Sequence, residues 1–314
     1  MGYRRHRGSV ALSAALVLAL AAGACGEKQE PGESPDEVDE DVNFTEDSSL
    51  EVATGGSVTY GLGAETDGWN PTINRWSTSG HQVSMAVYDH LAEMGDDGLP
   101  HPYLAESIEH NDEYTQWTIT LRDGVTFHDG SALTATDLQV NFMAHQASPL
   151  SGKALKPITD MEVASDDLTL TLDMDVPWIA FPYFLTGQVG VVVEPGALGW
   201  DPDALAPGGT VTANQQPVGT GPFVFDNWEI DRQLVVKKND EYWRDGLPYL
   251  DEIKFQPVVD AQNRVNSLTS GDLGVVQMTV SASGIQRPAR HRLHRGALRR
   301  RDREVLRQPE QRRG

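Results

Sequence analysis

From Gly55 onward the chain switches repeatedly between two apolar periods, and this switching limits its fold more than any other feature. Val58, Tyr60 and Leu62 alternate with small or polar residues, the period of a strand with one buried face, and a Gly-rich loop follows through Pro71. Residues 77 to 91 then place Val83, Val87 and Leu91 along one helical stripe. Trp117, Ile119 and Leu121 return to period two, Arg122-Asp123-Gly124 supplies a turn, and "VTFHDG" at 125 to 130 predicts the second arm of a hairpin. Thr134 with Asp137 three positions on predicts a capping box opening a helix through "DLQVNFMAHQA", which must stop before Pro149. Further strands are predicted at Leu168 to Leu172, 189 to 194, 222 to 228, 233 to 238 and 253 to 258. Strands and helices interleave with no repeat of 20 to 50 residues, so the expected class is α/β in the mixed, α+β sense.

Both ends of the chain have a different character. Arg4, Arg5 and Arg7 precede an apolar stretch from Val10 to Ala22, the layout of a signal peptide over residues 1–24. That stretch is shorter than the roughly twenty residues a membrane-crossing helix needs. Cys25, the sole cysteine, follows small residues directly, and the site resembles the bacterial lipoprotein box, in which the thiol carries a lipid and becomes the mature N-terminus. Gly26 to Glu51 holds eleven acidic residues and one Lys, too little apolar surface to offset ordering entropy, so residues 25–54 are expected to be an extended acidic tether.

The whole chain carries 25 basic and 46 acidic residues, a formal charge of −21, and such a surface repels phosphate backbones. Its last thirty residues hold 11 Arg, no Lys and 3 acids, leaving 14 basic and 43 acidic residues before them. Out-of-frame translation of GC-rich coding sequence yields such a composition, so residues 281–314 are expected to be an aberrant, disordered tail left by a frameshift. A basic nucleic-acid arm ordinarily mixes Lys with Arg.

No constellation for bond-making chemistry is legible. His128-Asp129 is read as turn structure, since a metal needs three or four convergent ligands and a general base needs a positioned partner. His81, His90, His101, His110 and His145 are scattered without metal-site spacing, and there is no phosphate loop or nucleophile elbow. The residues therefore favour a binding protein over an enzyme, with no catalytic residue, cofactor or metal assigned.

Two long stretches sharpen this reading. "VYDHLAEMGDDGLPHPYLAESIEHNDEYTQWTITLRDGVTFHDGSALTATDLQVNF" (87 to 142) carries a Tyr-Asp-x-Leu helix end, Leu-Ala-Glu-Ser, a Trp strand and Leu-Arg-Asp-Gly-Val-x-Phe-His-Asp-Gly. "PVGTGPFVFDNWEIDRQLVVKKNDEYWRDGLPYLDEIKFQPVVDAQNRVNSLTSGDL" (217 to 273) carries Gly-Thr-Gly-Pro-Phe and Asn-x-x-Tyr-Trp. Together they resemble the bacterial extracellular solute-binding proteins of family 5, which serve ABC importers of oligopeptides, dipeptides and nickel complexes. The resemblance implies a two-lobed clamshell that closes on its ligand and presents itself to a membrane permease. Residues 55–280 would be its N-terminal lobe, with the second lobe largely absent.

It further implies an exported monomer held by its lipid at the outer face of the cytoplasmic membrane, binding a peptide or related small solute and no nucleic acid. A peptide-sensing lipoprotein, an inert remnant or an exported enzyme on the same scaffold are the rival readings. Within the lobe, the loop Asp67-Gly68-Trp69-Asn70 and the helix start near Trp76 would face the cleft, making Trp69, Asn70 and Trp76 the candidate ligand-binding residues.

Overall fold

The computed structural model describes residues 53–278. The signal peptide at 1–24, the lipidation site at Cys25, all but the last two residues of the acidic tether and the Arg-rich tail at 281–314 lie outside the described residues. In chain order the elements are β1 (Ser57–Leu62), α1 (Thr78–Val87), β2 (Ala92–Met94), β3 (Pro100–Pro102), β4 (Ala105–His110), β5 (Gln116–Leu121), α2 (Ala135–Ala147), β6 (Ile158–Val163), β7 (Thr169–Met174) and α3 (Phe181–Phe184). A 3₁₀ turn (Gln188–Gly190) follows, then β8 (Trp200–Asp201), β9 (Ala206–Pro207), β10 (Phe223–Glu229), β11 (Gln233–Lys238), β12 (Glu252–Pro257), α4 (Ala261–Ser270) and β13 (Val275–Val276).

Two sheets organise these elements, each over its own core. The first has the order β4-β5-β7-β6, antiparallel throughout. Its central register sets Trp117 opposite Leu172 and Ile119 opposite Leu170, so the alternating apolar residues of β5 and β7 share one face. That face packs on α2 through Leu138 and Phe142, with Phe127, Leu155 and Phe181 closing the cluster. Each large apolar side chain buried there contributes about 1.5–3 kcal/mol. α2 begins as its sequence dictates: Asp137 N–H donates to Thr134 Oγ1 at 3.2 Å, and Thr134 N–H donates back to the Asp137 carboxylate at 2.9 Å.

The second sheet runs β10-β11-β12-β1-β13. β10, β11 and β12 are antiparallel neighbours, whereas β12, β1 and β13 run parallel. Leu62, Val83, Val87, Tyr88, Leu234, Val236 and Phe255 fill its core with α1.

Three segments depart from the sequence-based expectation. Residues 125–130 are no hairpin arm: β5 takes β4 and β7 as its partners, and 125–130 keeps only a single bridge, Thr126 to Ala132. The apolar run at 189–194 is a 3₁₀ turn and a buried connector, bridged once between Val191 and His90. Its amides are satisfied individually, Val192 N–H by the Asp89 carbonyl and Val193 N–H by Asn141 Oδ1, so no adjacent strand is required. Helix α1 ends at Val87, short of Leu91. Tyr88 turns to extended backbone, and Leu91 uses its carbonyl to accept from Tyr103 and Ala105.

This early ending lets the two long sequence stretches meet. Gly219 and Gly221 pass so close to Val87 and Tyr88 that a Cβ on Gly219 would stand 2.4 Å from the Tyr88 ring, and one on Gly221 2.5 Å from the Val87 carbonyl carbon. His128 joins the same crossing. Its amide donates to the Gly219 carbonyl at 2.8 Å, its Nε2 bonds the Gly221 carbonyl at 2.9 Å, and Nδ1 accepts from Gly219 N–H at 3.4 Å. One donating and one accepting ring nitrogen describe a neutral imidazole, and burial holds the His128 pKa below its ordinary value. Asp129 closes the neighbouring turn by accepting from Ser131 N–H and Oγ.

Candidate solute-binding site

Because β1, β12 and β13 are parallel, their carboxyl ends at Leu62, Pro257 and Val276 share one edge of the sheet, the edge at which open α/β sheets form binding crevices. The loop 63–77 leaves from there. Its inner structure is self-contained: Asn70 Oδ1 accepts from Thr72 N–H and Thr72 Oγ1, both at 2.8 Å, and Asn74 Nδ2 donates to Asp67 at 3.2 Å. Trp76 Nε1 donates to the Gly68 carbonyl at 3.0 Å, and its ring stacks on Tyr88 with centroids 6.0 Å apart. Gln188 pins the loop from outside, donating to the carbonyls of Pro71 at 2.7 Å and Asn74 at 2.6 Å.

The three residues singled out from the sequence are thus brought onto one loop, and all three are buried. Trp69 is 3% exposed, Asn70 2% and Trp76 5%. Trp69 packs edge-on against Trp228, while its carbonyl accepts from the Tyr88 hydroxyl at 2.9 Å. What the loop presents outward is Asp67, Ile73, Arg75 and Ser77.

Beside the loop lies a cavity of about 250 Å³ that the sequence did not announce. Pro71 and Arg75 line it from the loop, His145 from the last turn of α2, Leu150, Ser151 and Ala154 from the segment after it, and Phe184, Gln188 and Val189 from α3 and the 3₁₀ turn. Leu150 and Phe184 leave much of their apolar surface open. Arg75 pairs with no carboxylate among the described residues.

His145 is 1% exposed, and burial pushes its pKa down to about 4, so the imidazole is neutral at pH 7. Nδ1 lies 3.0 Å from Ser151 Oγ, and Nε2 is buried without a partner among the described residues. No group of three or more His, Cys, Asp and Glu side chains placed to hold a metal occurs among the described residues. The cavity offers a guanidinium and an apolar lip, backed by a buried neutral imidazole. The scattered histidines gave no signal of this, because His145 acquires its position only when α2 and the 150–154 segment fold together.

Comparison with known proteins bears on the family and the fold. The family described as bacterial extracellular solute-binding proteins, family 5 Middle, matches residues 100–292. The glutathione-binding protein GsiB of Pectobacterium atrosepticum is 34% identical over 171 residues, 54% of this chain and 32% of that protein. Its namesake in Salmonella paratyphi A is 31% identical over 198 residues, 62% of this chain and 37% of the relative. The chain thus spans about a third of the length of these relatives. Among solved structures, the periplasmic binding protein AgaA from A. tumefacien R10, in complex with agropinic acid, superimposes with a TM-score of 0.60 at 32% identity, covering 69% of this chain and 43% of AgaA. The oligopeptide-binding protein AppA of Bacillus subtilis, with a nonapeptide, shares the fold at a TM-score of 0.60 and 23% identity, over 71% of this chain and 44% of AppA. With its mixed α/β body and more than half its length matched, the chain belongs to the family 5 bacterial extracellular solute-binding proteins.

Proposed function

We propose that this chain is the solute-capturing component of an ABC importer, exported and tethered by a lipid on Cys25, which binds a small solute outside the membrane and hands it to a permease without making or breaking a bond. Residues 55–280 form one lobe of the receptor, acting as a monomer, and the solute sits against the cavity beside loop 63–77. The observation that carries this reading is the joining of two independent facts. The proteins this chain resembles include binders of glutathione and of agropinic acid, and the cavity is lined by Arg75, which pairs with no carboxylate among the described residues. Trp69, Asn70 and Trp76 serve the same rim from beneath, fixing the backbone that carries Pro71 and Arg75. A guanidinium in an otherwise acidic body favours a solute with a carboxylate.

The test is a thermal-denaturation panel on the full chain with glutathione, short peptides, agropinic acid, a nickel chelate and a sugar. A ligand that binds the native state raises Tm by mass action. The reading requires a rise with at least one carboxylate-bearing solute, and a flat panel defeats it.

A further inference from the structure

The cavity beside loop 63–77 is set apart by its charge. The chain carries 46 acidic residues, and Glu65, Asp129, Asp160 and Asp226 line other cavities of the body, yet neither Asp nor Glu lines this one. Its polar side chains are already engaged, with one exception. Gln188 spends its amide hydrogens on the carbonyls of Pro71 and Asn74, the Ser151 hydroxyl lies 2.9 Å from the His145 carbonyl, and His145 itself is closed to solvent. Arg75 remains: exposed, paired with no carboxylate among the described residues, and able only to donate. A guanidinium fork holds a carboxylate through two parallel hydrogen bonds. An ammonium placed here meets a like charge and no acidic side chain of the lining.

The rest of the lining is carbon. Leu150, Ala154 and Phe184 are exposed and Val189 is half-buried, and Phe184 is braced edge-on by Trp178 with ring centroids 4.9 Å apart. The volume of about 250 Å³ exceeds the roughly 150 Å³ of an apolar cavity that takes a benzene ring, and falls short of the roughly 300 Å³ at which pockets for whole ligands begin. It has room for one residue and its carboxylate.

We infer that this cavity is a subsite for the carboxyl-terminal residue of a peptide: Arg75 pairs with the terminal carboxylate, Leu150 and Phe184 cover an apolar side chain of that residue, and the amino end points away. The inference rests on the solute-binding reading above, and adds to it which end of the solute is held here and which side chain is favoured. Glutathione, which ends in glycine, would leave the apolar lip uncovered.

The experiment is calorimetric titration of the full chain at pH 7 with glycylglycylleucine, its carboxyl-terminal amide, glycylglycylglycine and glutathione. The leucine peptide should bind about tenfold tighter than the glycine peptide, the effect of covering part of one leucine side chain. It should bind at least tenfold tighter than its amide, which lacks the charge that Arg75 meets. Phe184→Ala and Leu150→Ala, both at exposed positions, should each shrink the leucine-to-glycine ratio to about threefold, and Arg75→Gln should bring acid and amide together. Equal affinity of the leucine and glycine peptides, or of acid and amide, overturns the inference, as does a leucine-to-glycine ratio that neither lip variant moves. Binding of glutathione or of another solute of the denaturation panel alongside any of those results leaves the receptor reading standing. Absence of binding by every probe and every panel solute overturns the receptor reading, and the inference with it.

Discussion

The indole Nε1 of Trp243 donates to the Asp89 carboxylate at 2.8 Å, closing a contact between residues 154 positions apart. Thr220 Oγ1 and the Tyr242 hydroxyl, each at 3.0 Å, complete the set, so a carboxylate 2% exposed is ringed by three donors from the distant 220–243 region. Burial nevertheless outweighs these donors and raises the Asp89 pKa to about 6. A carboxyl whose folded pKa lies above its unfolded value contributes stability that is fully present below the unfolded pKa and is lost as pH rises through about 6. From the shift, that loss amounts to roughly 3 kcal/mol in order of magnitude. Asp89→Asn removes the titration, so the stability advantage of the parent chain over the variant should shrink between pH 4 and pH 7. Urea denaturation at several pH values checks this, and a constant difference would contradict it.

Gly219 tests the backbone crossing. An added methyl would meet both the Tyr88 ring and the Val87 carbonyl oxygen at 2.4 Å, and neither can move without disturbing the Asp89 contacts next door. Gly219→Ala should cost about 1–3 kcal/mol, the range for overpacking a filled interior. Gly124→Ala is the control: its φ of +77° is strained for alanine, but nothing lies within 4 Å, so about 1 kcal/mol is expected. Chemical denaturation of the two variants should rank them in that order.

Arg75 separates binding from folding. Its side chain is exposed and pairs with no carboxylate among the described residues, so Arg75→Ala should leave stability within about 0.5 kcal/mol. Affinity for a carboxylate-bearing solute should fall at least tenfold, about 1.4 kcal/mol, with a weaker dependence on salt. Calorimetry at two ionic strengths reads both effects.

Cys25 lies outside the described residues, and its prediction rests on sequence. Cys25→Ala should move the protein from the membrane fraction to the soluble one or block its processing. No helix among the described residues is long and apolar enough to cross a membrane, so unchanged attachment would defeat the lipid anchor.

The fold was legible where local chemistry and period agreed. The Thr134–Asp137 box opened α2 where it was expected, and strict alternation in β5 and β7 marked the centre of the four-stranded sheet. The edge strands β4 and β6 were missed for a physical reason: their registers shift between Ala105 and Ser107 and between Ile158 and Asp160, and one extra residue breaks the period on which detection depends. α4 was also missed: its stripe holds only Ala261, Val265 and Leu268, although Asp260 caps the amide of Asn263 and Gly271 terminates the helix with a φ of +87°.

Sequence alone determined the mixed class, the principal strands, the family and the loop that carries Pro71 and Arg75. It could not decide that Trp69, Asn70 and Trp76 turn inward, nor that "VTFHDG" and "VGVVVE" forgo sheets, since apolar runs look alike whether they pair or merely fill a core. It also could not reveal Asp89 or His145. The character of each is set by groups that only the folded chain delivers: three donors from residues 220–243 around a buried carboxylate, and a shell that buries His145 against Ser151 and holds its imidazole neutral.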